Sequence, residues 1–466
     1  MKGTGTIVEL GSNFVDMSLD YQRAGTYQTP AGETLSYDGQ PYAAVSDRSR
    51  PAAGIGGFQA LPVFAVSTDL GLQRRGIPIR FGIGFVAPNA FPERNFDRGY
   101  QFEANVDEPP PPQRYDSVKQ NGAAVGGSLA VAYQVTSKLD LGARFSVSTM
   151  ELKGEAYGWG LSNYENWIAR DAFTKIDVKD SFVPQFGAGV LYRPTSNIEV
   201  GAAYASGATI NAKGSSSVVL GSDLGAGPTM PGTVEPNNTN PTCAAGGTGQ
   251  SDLKTCMTFK LPQTASIGAR YILRDARGGE RADIEFDAKW ENWAGASKTT
   301  VLVDGIAMPL DTVIAPSTVD NGANDTFSFR LGGSYALPVG ANKLTVRGGA
   351  AFDTAATPES WSRLGFDGAA RVTLATGVAY DIGRYRIEFG GGIVLQPDRN
   401  VPDDCNPEVV DKGCLGNGEE TPVAERERPD PVQPTVGGID PIEAPYNAGV
   451  YKSGYVMLHF AVSARF

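Results

Sequence analysis

Acid–base or nucleophilic chemistry in this 466-residue chain would have to pass through very few groups: one histidine, His459, and four cysteines. A hydrolase of the Ser–His type needs a serine and that imidazole presented together on one face. His459 shares its face of a C-terminal alternating segment with Tyr455, Met457, Ser463 and Arg465, and we assign it no catalysis. The cysteines form two local pairs, Cys243 with Cys256 and Cys405 with Cys414, each in a Pro-, Gly- and Asn-rich stretch without C-x-x-C spacing. Two loop disulfides, and with them an oxidising compartment, are the expectation; four free thiols are the alternative. Neither a metal site nor a cofactor is expected, and the chain is read as a non-enzyme.

Any remaining chemistry is binding chemistry, and composition narrows it. Net charge is −11 with no basic stripe, which argues against nucleic acid. Glycine is abundant, 58 residues, and charged residues make up only 20%, a balance that favours strands and turns over helices. No linker separates two differently patterned halves, so residues 1–466 are treated as one unit. A run of about 18 apolar residues is absent, which rules out a transmembrane helix and leaves strands untouched. The start, Met1-Lys2-Gly3-Thr4, carries no apolar secretory stretch, as in a mature, replaced-leader or truncated form.

Alternation supplies the elements. Leu139, Leu141, Ala143, Phe145 and Val147 interleave with Asp140, Gly142, Arg144, Ser146 and Ser148. Ala282, Ile284, Phe286, Ala288 and Trp290 oppose Arg281, Asp283, Glu285, Asp287 and Lys289, five charges that need water. A soluble sandwich and a membrane barrel share this pattern, and the rhythm of the connections separates them. Tight turns at Thr136–Lys138, Pro194–Asn197, Arg274–Glu280, Pro338–Asn342 and Asp381–Gly383 alternate with long segments near 23–50, 89–121, 153–182, 213–256, 294–325, 354–369 and 397–449. Short periplasmic turns and long extracellular loops predict an all-β fold, a closed antiparallel transmembrane β-barrel of about fourteen strands that begins near Thr4. The last strand ends on Phe466, a terminal aromatic that barrel assembly machinery reads. Tyr133, Tyr192, Tyr204, Tyr271, Tyr335 and Tyr380 fit an interfacial girdle or plain strand propensity.

The stretches FGIGFVAP (Phe81 to Pro88), VAYQVTSKLDLGARFSV (Val131 to Val147), GAGVLYRPTSNIEVGAAYAS (Gly187 to Ser206), LPQTASIGARY (Leu261 to Tyr271) and DAKWENWAG (Asp287 to Gly295) resemble, in order and spacing, the FadL/TodX family of outer-membrane transporters. That resemblance implies a fourteen-stranded barrel that takes up hydrophobic molecules passively, long-chain fatty acids or hydrocarbons, across the bacterial outer membrane. It also implies an N-terminal luminal plug with an Asn-Pro-Ala motif, which this sequence lacks. Fourteen strands about 4.8 Å apart and tilted about 40° enclose a backbone diameter of roughly 28 Å, too wide for side chains to fill. An unplugged barrel therefore leaks unless its loops fold inward.

Site residues follow. Tyr157, Trp159, Leu161, Tyr164, Trp167, Ile168 and Phe173 cluster in one long loop, with helical spacing from Leu161 to Ile168. The family places an external hydrophobic groove here, carried over to Trp159, Leu161, Trp167 and Phe173; packing onto the rim is the alternative. Phe85 and Pro88 match the strand whose kink opens the family's wall sideways, or mark a plain strand end. Inward-facing Arg144, Arg270, Arg330, Arg347 and Arg386 are candidates for a ligand carboxylate, or for pairing with interior acids. Expected partners are hydrophobic small molecules, outer-membrane lipid, lipopolysaccharide and the assembly machinery, with the chain a monomer. A general porin or structural barrel is the competing reading, and a barrel phospholipase the third.

Overall fold

A computed structural model describes residues 5–27, 35–49, 54–55, 57–86, 93–102, 108–158, 168–224, 232–237, 243, 253–309, 311–314, 316–365, 368–401 and 448–466. Among them, fourteen antiparallel strands form the wall. They are β1 (Thr6–Arg23), β2 (Phe58–Thr68), β3 (Ile79–Val86), β4 (Lys119–Thr136), β5 (Leu139–Gly158), β6 (Ala172–Tyr192), β7 (Ile198–Ala205, resuming as Ala208–Leu220) and β8 (Leu253–Leu261, resuming as Thr264–Arg274). There follow β9 (Glu280–Glu291), β10 (Thr326–Val339), β11 (Asn342–Asp353), β12 (Arg371–Ile382), β13 (Tyr385–Leu395) and β14 (Gly449–Arg465). Each pairs with the next, and β14 returns to β1 from Ile7↔Arg465 to Arg23↔Gly449, so the wall has no free edge.

Alternation fixes what each face touches. Leu129, Phe145, Phe186, Ile267, Phe286, Leu331, Phe389 and Leu458 are large, apolar and exposed, which is stable only against lipid. Tyr133, Tyr192, Tyr271 and Tyr335 point outward close to the short turns, as a girdle should. Tyr380 lies at the same level, with its hydroxyl 2.8 Å from the Asn342 amide nitrogen. Tyr204 departs from that level: it sits toward the other end of its strand beside Gln263, 2.7 Å away, at the outer boundary. Arg281 departs from the luminal row expected of it. Next to a turn, its long side chain swings outward, and its guanidinium donates to the Tyr335 hydroxyl at 2.8 Å.

The external connections hold more strand than the sequence rhythm predicts. β5 and β6 run on past a register shift between Ser148 and Met150, and β7 and β8 past Ser206-Gly207 and Pro262-Gln263. Lys298–Met308 pairs with the upper half of β8 and with Ser317–Asp320, so much of 294–325 is sheet. Across this level the polarity of the faces exchanges. Inward positions are polar or small below it and become Met150, Val178, Val183, Ile210 and Phe259, one buried cluster, above it. Outward positions turn from Phe145 and Phe186 to Glu151, Lys153, Lys175 and Lys179. The reason is solvent: beyond the bilayer the outside is water, and an apolar core must form inside.

Candidate functional site

The lumen has two unlike walls. Across β3–β7 the inward residues include Gly82, Gly84, Ser128, Ala130, Gly142, Gly187, Gly189 and Ala203, a smooth surface broken by Arg80, Asp140 and Arg144. Across β8–β13 they include Arg270, Asp283, Glu285, Asp287, Arg330, Arg347 and Glu388, which line a luminal cavity of about 910 Å³ together with Arg386 and His459. Four of the five sequence-predicted arginines therefore meet in one space, while Arg144 lines a neighbouring cavity of about 530 Å³.

Pairing divides these arginines. Arg270 is enclosed by acids: Asp283, Glu199 at 3.2 Å, Glu280 at 3.4 Å and Glu285 at 3.9 Å. Arg386 bridges Asp381 and Glu388, and Arg347 reaches Glu388 at 3.4 Å. Arg144 and Arg330 have no ion-pair partner among the described residues. His459 lies 2.8 Å from the Asn13 amide oxygen, a pairing of β14 with β1 that presents no nucleophile to the imidazole. Among the described residues no group of His, Cys, Asp and Glu could hold a metal ion.

Among the described residues, β3 pairs with β2 and β4 as far as Val86, opposite Val63 and Gly126. β2 nevertheless continues to Phe58, and β4 reaches back to Lys119. Over those rungs β2 is paired with β1 and β4 with β5, and on the side facing β3 Gly54 and Ile55 pair with Gln59 and Phe58, and Arg94 and Asn95 with Gln120 and Lys119. Phe85 is outward-facing and exposed; Pro88 lies outside the described residues.

One segment, 93–102 with 108–118, crosses the external mouth. On one side the Tyr157 amide donates to Arg114 and the Val118 amide to Glu155, both residues of β5 and its neighbour, and both bonds 2.8 Å long. On the other side the Asp116 carboxylate accepts from the Leu364 amide at 2.6 Å and from Arg363 at 3.1 Å, in the connection before β12. β4–β5 and β11–β12 lie seven strands apart in a ring of fourteen, so the two anchors are diametrically opposed. Apolar packing fills the space beneath: Leu19 and Tyr21 of β1, Tyr451 of β14, and Val45, Phe96, Leu364 and Val401 form one buried cluster. Trp361 covers Gly322, where a side chain would strike the indole ring and where a positive φ of 59° also requires glycine.

Buried charge locks this layer. Arg114 (0% exposed) donates to Asp171 (1%) at 3.0 Å, and Tyr115 gives its hydroxyl to the same carboxylate at 2.9 Å. Arg94 and Asp47 form a second buried pair at 2.9 Å. Burial pushes Tyr100 up to about 12 and also raises Tyr157. Burial pushes the Asp97 carboxyl up, but its bond to Lys119, the Gly99 N–H and the nearby charges of Lys119 and Lys175 together hold it low, and the bond to Asp97 raises Lys119. None of this latch was read from the sequence, because Arg114 and Asp171 are 57 residues apart in an irregular region.

Of the external groove residues, only Phe173 is described. It is half-buried, 4.8 Å from Tyr157 and 6.3 Å from Phe102 by ring centroids. Trp159, Leu161 and Trp167 lie outside the described residues, as does the Cys405–Cys414 pair; residues Ile168–Arg170 form a single 3-10 turn. Cys243 and Cys256 are joined by a disulfide that ties the connection after β7 to the outer face of β8.

The family model described as outer membrane protein transport protein (OMPP1/FadL/TodX) matches residues 100–386, more than half of the chain. The chain belongs to this family. As a member it is an outer-membrane transport barrel, and the family's work is transport rather than catalysis. Solved structures agree on the fold. A Pseudomonas aeruginosa FadL homologue superposes with a TM-score of 0.66 at 14% identity, covering 99% of this chain and 90% of that one. The Pseudomonas putida toluene transporter TodX gives 0.56 at 13%, covering 100% and 91%, and the monoaromatic hydrocarbon channel CymD gives 0.52 at 13%, covering 100% and 89%. No curated protein matches the chain in sequence.

Proposed function

We propose that this FadL/TodX-family barrel carries small hydrophobic molecules, a long-chain fatty acid or a hydrocarbon, passively across the outer membrane and releases them sideways through its wall. The observation that carries this reading is the smooth Gly- and Ala-rich wall of the lumen across β3–β7, unlike the charged wall across β8–β13. An apolar solute meets little charge along that wall, whereas the β8–β13 wall would charge a desolvation cost for displacing its water. Capture falls to the aromatic residues outside, Phe173 with Trp159, Leu161 and Trp167. A ligand carboxylate would pair with Arg144 or Arg330, whose charges no acid of the described lumen satisfies. Relatives named as toluene and monoaromatic hydrocarbon channels support the apolar class of cargo. Assembly as a monomer, with the assembly machinery reading Phe466, belongs to the same proposal.

A polar-solute pore is the second reading, favoured by the charged wall. Gly84→Phe separates the two. A side chain there has room, since a Cβ would meet only the Phe64 carbonyl at 3.8 Å, and it projects from β3 into the lumen along the smooth wall. Uptake of labelled fatty acid or toluene into proteoliposomes should fall several-fold, and Gly332→Phe on the charged wall should leave it unchanged. Equal uptake by both variants and the wild type would remove the lateral route.

A further inference from the structure

Lys179 of β6 and Lys213 of β7 are directly opposite each other in the ladder. Their sequence neighbours Val178 and Ala212 are 1% and 0% exposed within the inward cluster, so alternation turns both lysines outward, where both are exposed. Lys260 of β8, opposite Thr209, is exposed on the same outer face. None of the three makes an ion pair among the described residues. The nearby acids are engaged elsewhere. Glu151, across from Lys179 on β5, binds Lys153 at 3.1 Å, and Asp177 binds the same ammonium at 3.0 Å. Glu155 contacts Lys175 at 3.4 Å and Lys119 at 3.6 Å. Asp180 accepts the backbone N–H groups of Asn211 at 2.8 Å and Phe182 at 3.0 Å.

Like charges directly opposed across a strand pair are destabilising, and in a chain of net charge −11 nothing global forces lysines to this spot. Its depth supplies the reason. Immediately toward the bilayer the outer face presents Phe182 (63% exposed), Phe186, Tyr204 and Ile267, the upper edge of the lipid-facing band. An anion drawn to Lys179 and Lys213 would therefore lie at the level of outer-leaflet headgroups, with apolar wall below it for acyl chains.

We propose that Lys179, Lys213 and Lys260 form a binding site on the outer wall for a phosphorylated glycolipid of the outer leaflet, its phosphate bridging Lys179 and Lys213 and its acyl chains covering Phe182 and Phe186. The site is independent of the lumen and of whatever passes through it. Native mass spectrometry of the whole protein in neutral detergent tests it, with bisphosphorylated lipid A, its dephosphorylated form and inorganic phosphate as probes. The wild type should retain lipid A, and K179Q/K213Q should weaken retention about tenfold, as expected for loss of charge-assisted bonds to phosphate. K153Q, which removes an ammonium already bound by two acids, should stay near the wild type. Without anionic lipid K179Q/K213Q should melt at a higher temperature than the wild type because the repulsion is gone, and lipid A should reverse that order. Equal retention by K179Q/K213Q and the wild type would overturn the proposal. So would an equal response of the wild type to inorganic phosphate and lipid A, which would mark a site for free phosphate only, or equal binding of the dephosphorylated lipid.

Discussion

If the segment spanning the mouth seals the lumen, its far anchor controls ionic leak, and Asp116 is that anchor. Its side chain is 5% exposed and accepts two bonds from the opposite wall, from the buried Leu364 amide and from Arg363. Asp116→Ala removes both and strands the Leu364 N–H without its acceptor. A hydrogen bond to a charged group contributes about 1.5–3 kcal/mol, and a buried donor left unsatisfied costs about 1–3 kcal/mol. These overlap rather than add, so about 3 kcal/mol is the working figure, which shifts the closed-to-open equilibrium about a hundredfold. Asp116→Asn keeps one acceptor oxygen and should cost about 1 kcal/mol. Single-channel recording in a planar bilayer reads the outcome: low conductance with rare openings for the wild type, frequent openings for Asp116→Ala, and an intermediate Asp116→Asn. A wild type that conducts steadily would refute the seal. An Asp116→Ala barrel that folds, as shown by its heat-modifiable migration, yet conducts like the wild type would refute the anchor.

Alkaline pH should loosen the same layer. Tyr100 and Tyr157 have folded pKa values raised by burial, so the stability they confer is whole below the ordinary tyrosine value of 10.0 and is lost as pH climbs toward the folded value, about 12 for Tyr100. Titration of tyrosinate absorbance should show a late-ionising fraction that shrinks in Tyr100→Phe, Tyr157 remaining, with conductance rising over the same window. Phe259→Ala should destabilise the inward cluster above the bilayer by about 3 kcal/mol, the usual cost of deleting a buried aromatic ring. Urea unfolding followed by tryptophan fluorescence checks this, and an unchanged midpoint would deny that cluster a structural role.

Much of the barrel is legible in the chain itself. A period of two is a property of the backbone, so Leu141, Ala143 and Phe145 had to oppose Gly142 and Arg144 whatever the tertiary structure. The short turns at 136–138 and 381–383 fix antiparallel neighbours, and the local Cys243–Cys256 pair needed no distant information. The exchange of polarity along β5 was also present in the sequence, where Ser146 and Ser148 give way to Met150 and Leu152 on one face and Phe145 and Val147 to Glu151 and Lys153 on the other. It marks where the strand leaves lipid.

What the tertiary structure alone decided is which charges find partners. Arg270 and Arg330 look alike in sequence, both on luminal faces, but Glu199 reaches Arg270 from 71 residues away because β7 is hydrogen-bonded to β8, whereas Asp287, opposite Arg330 in the ladder, makes no ion pair with it, nor does any other acid among the described residues. The closure of the mouth has the same origin. Arg114, Asp116, Asp171 and Arg363 carry no periodic signal, and they meet only because closing the ring sets the tops of opposite strands a segment's length apart. Sequence fixes the face of each strand through its local geometry, whereas contacts across the ring depend on closure and register, which no single strand contains.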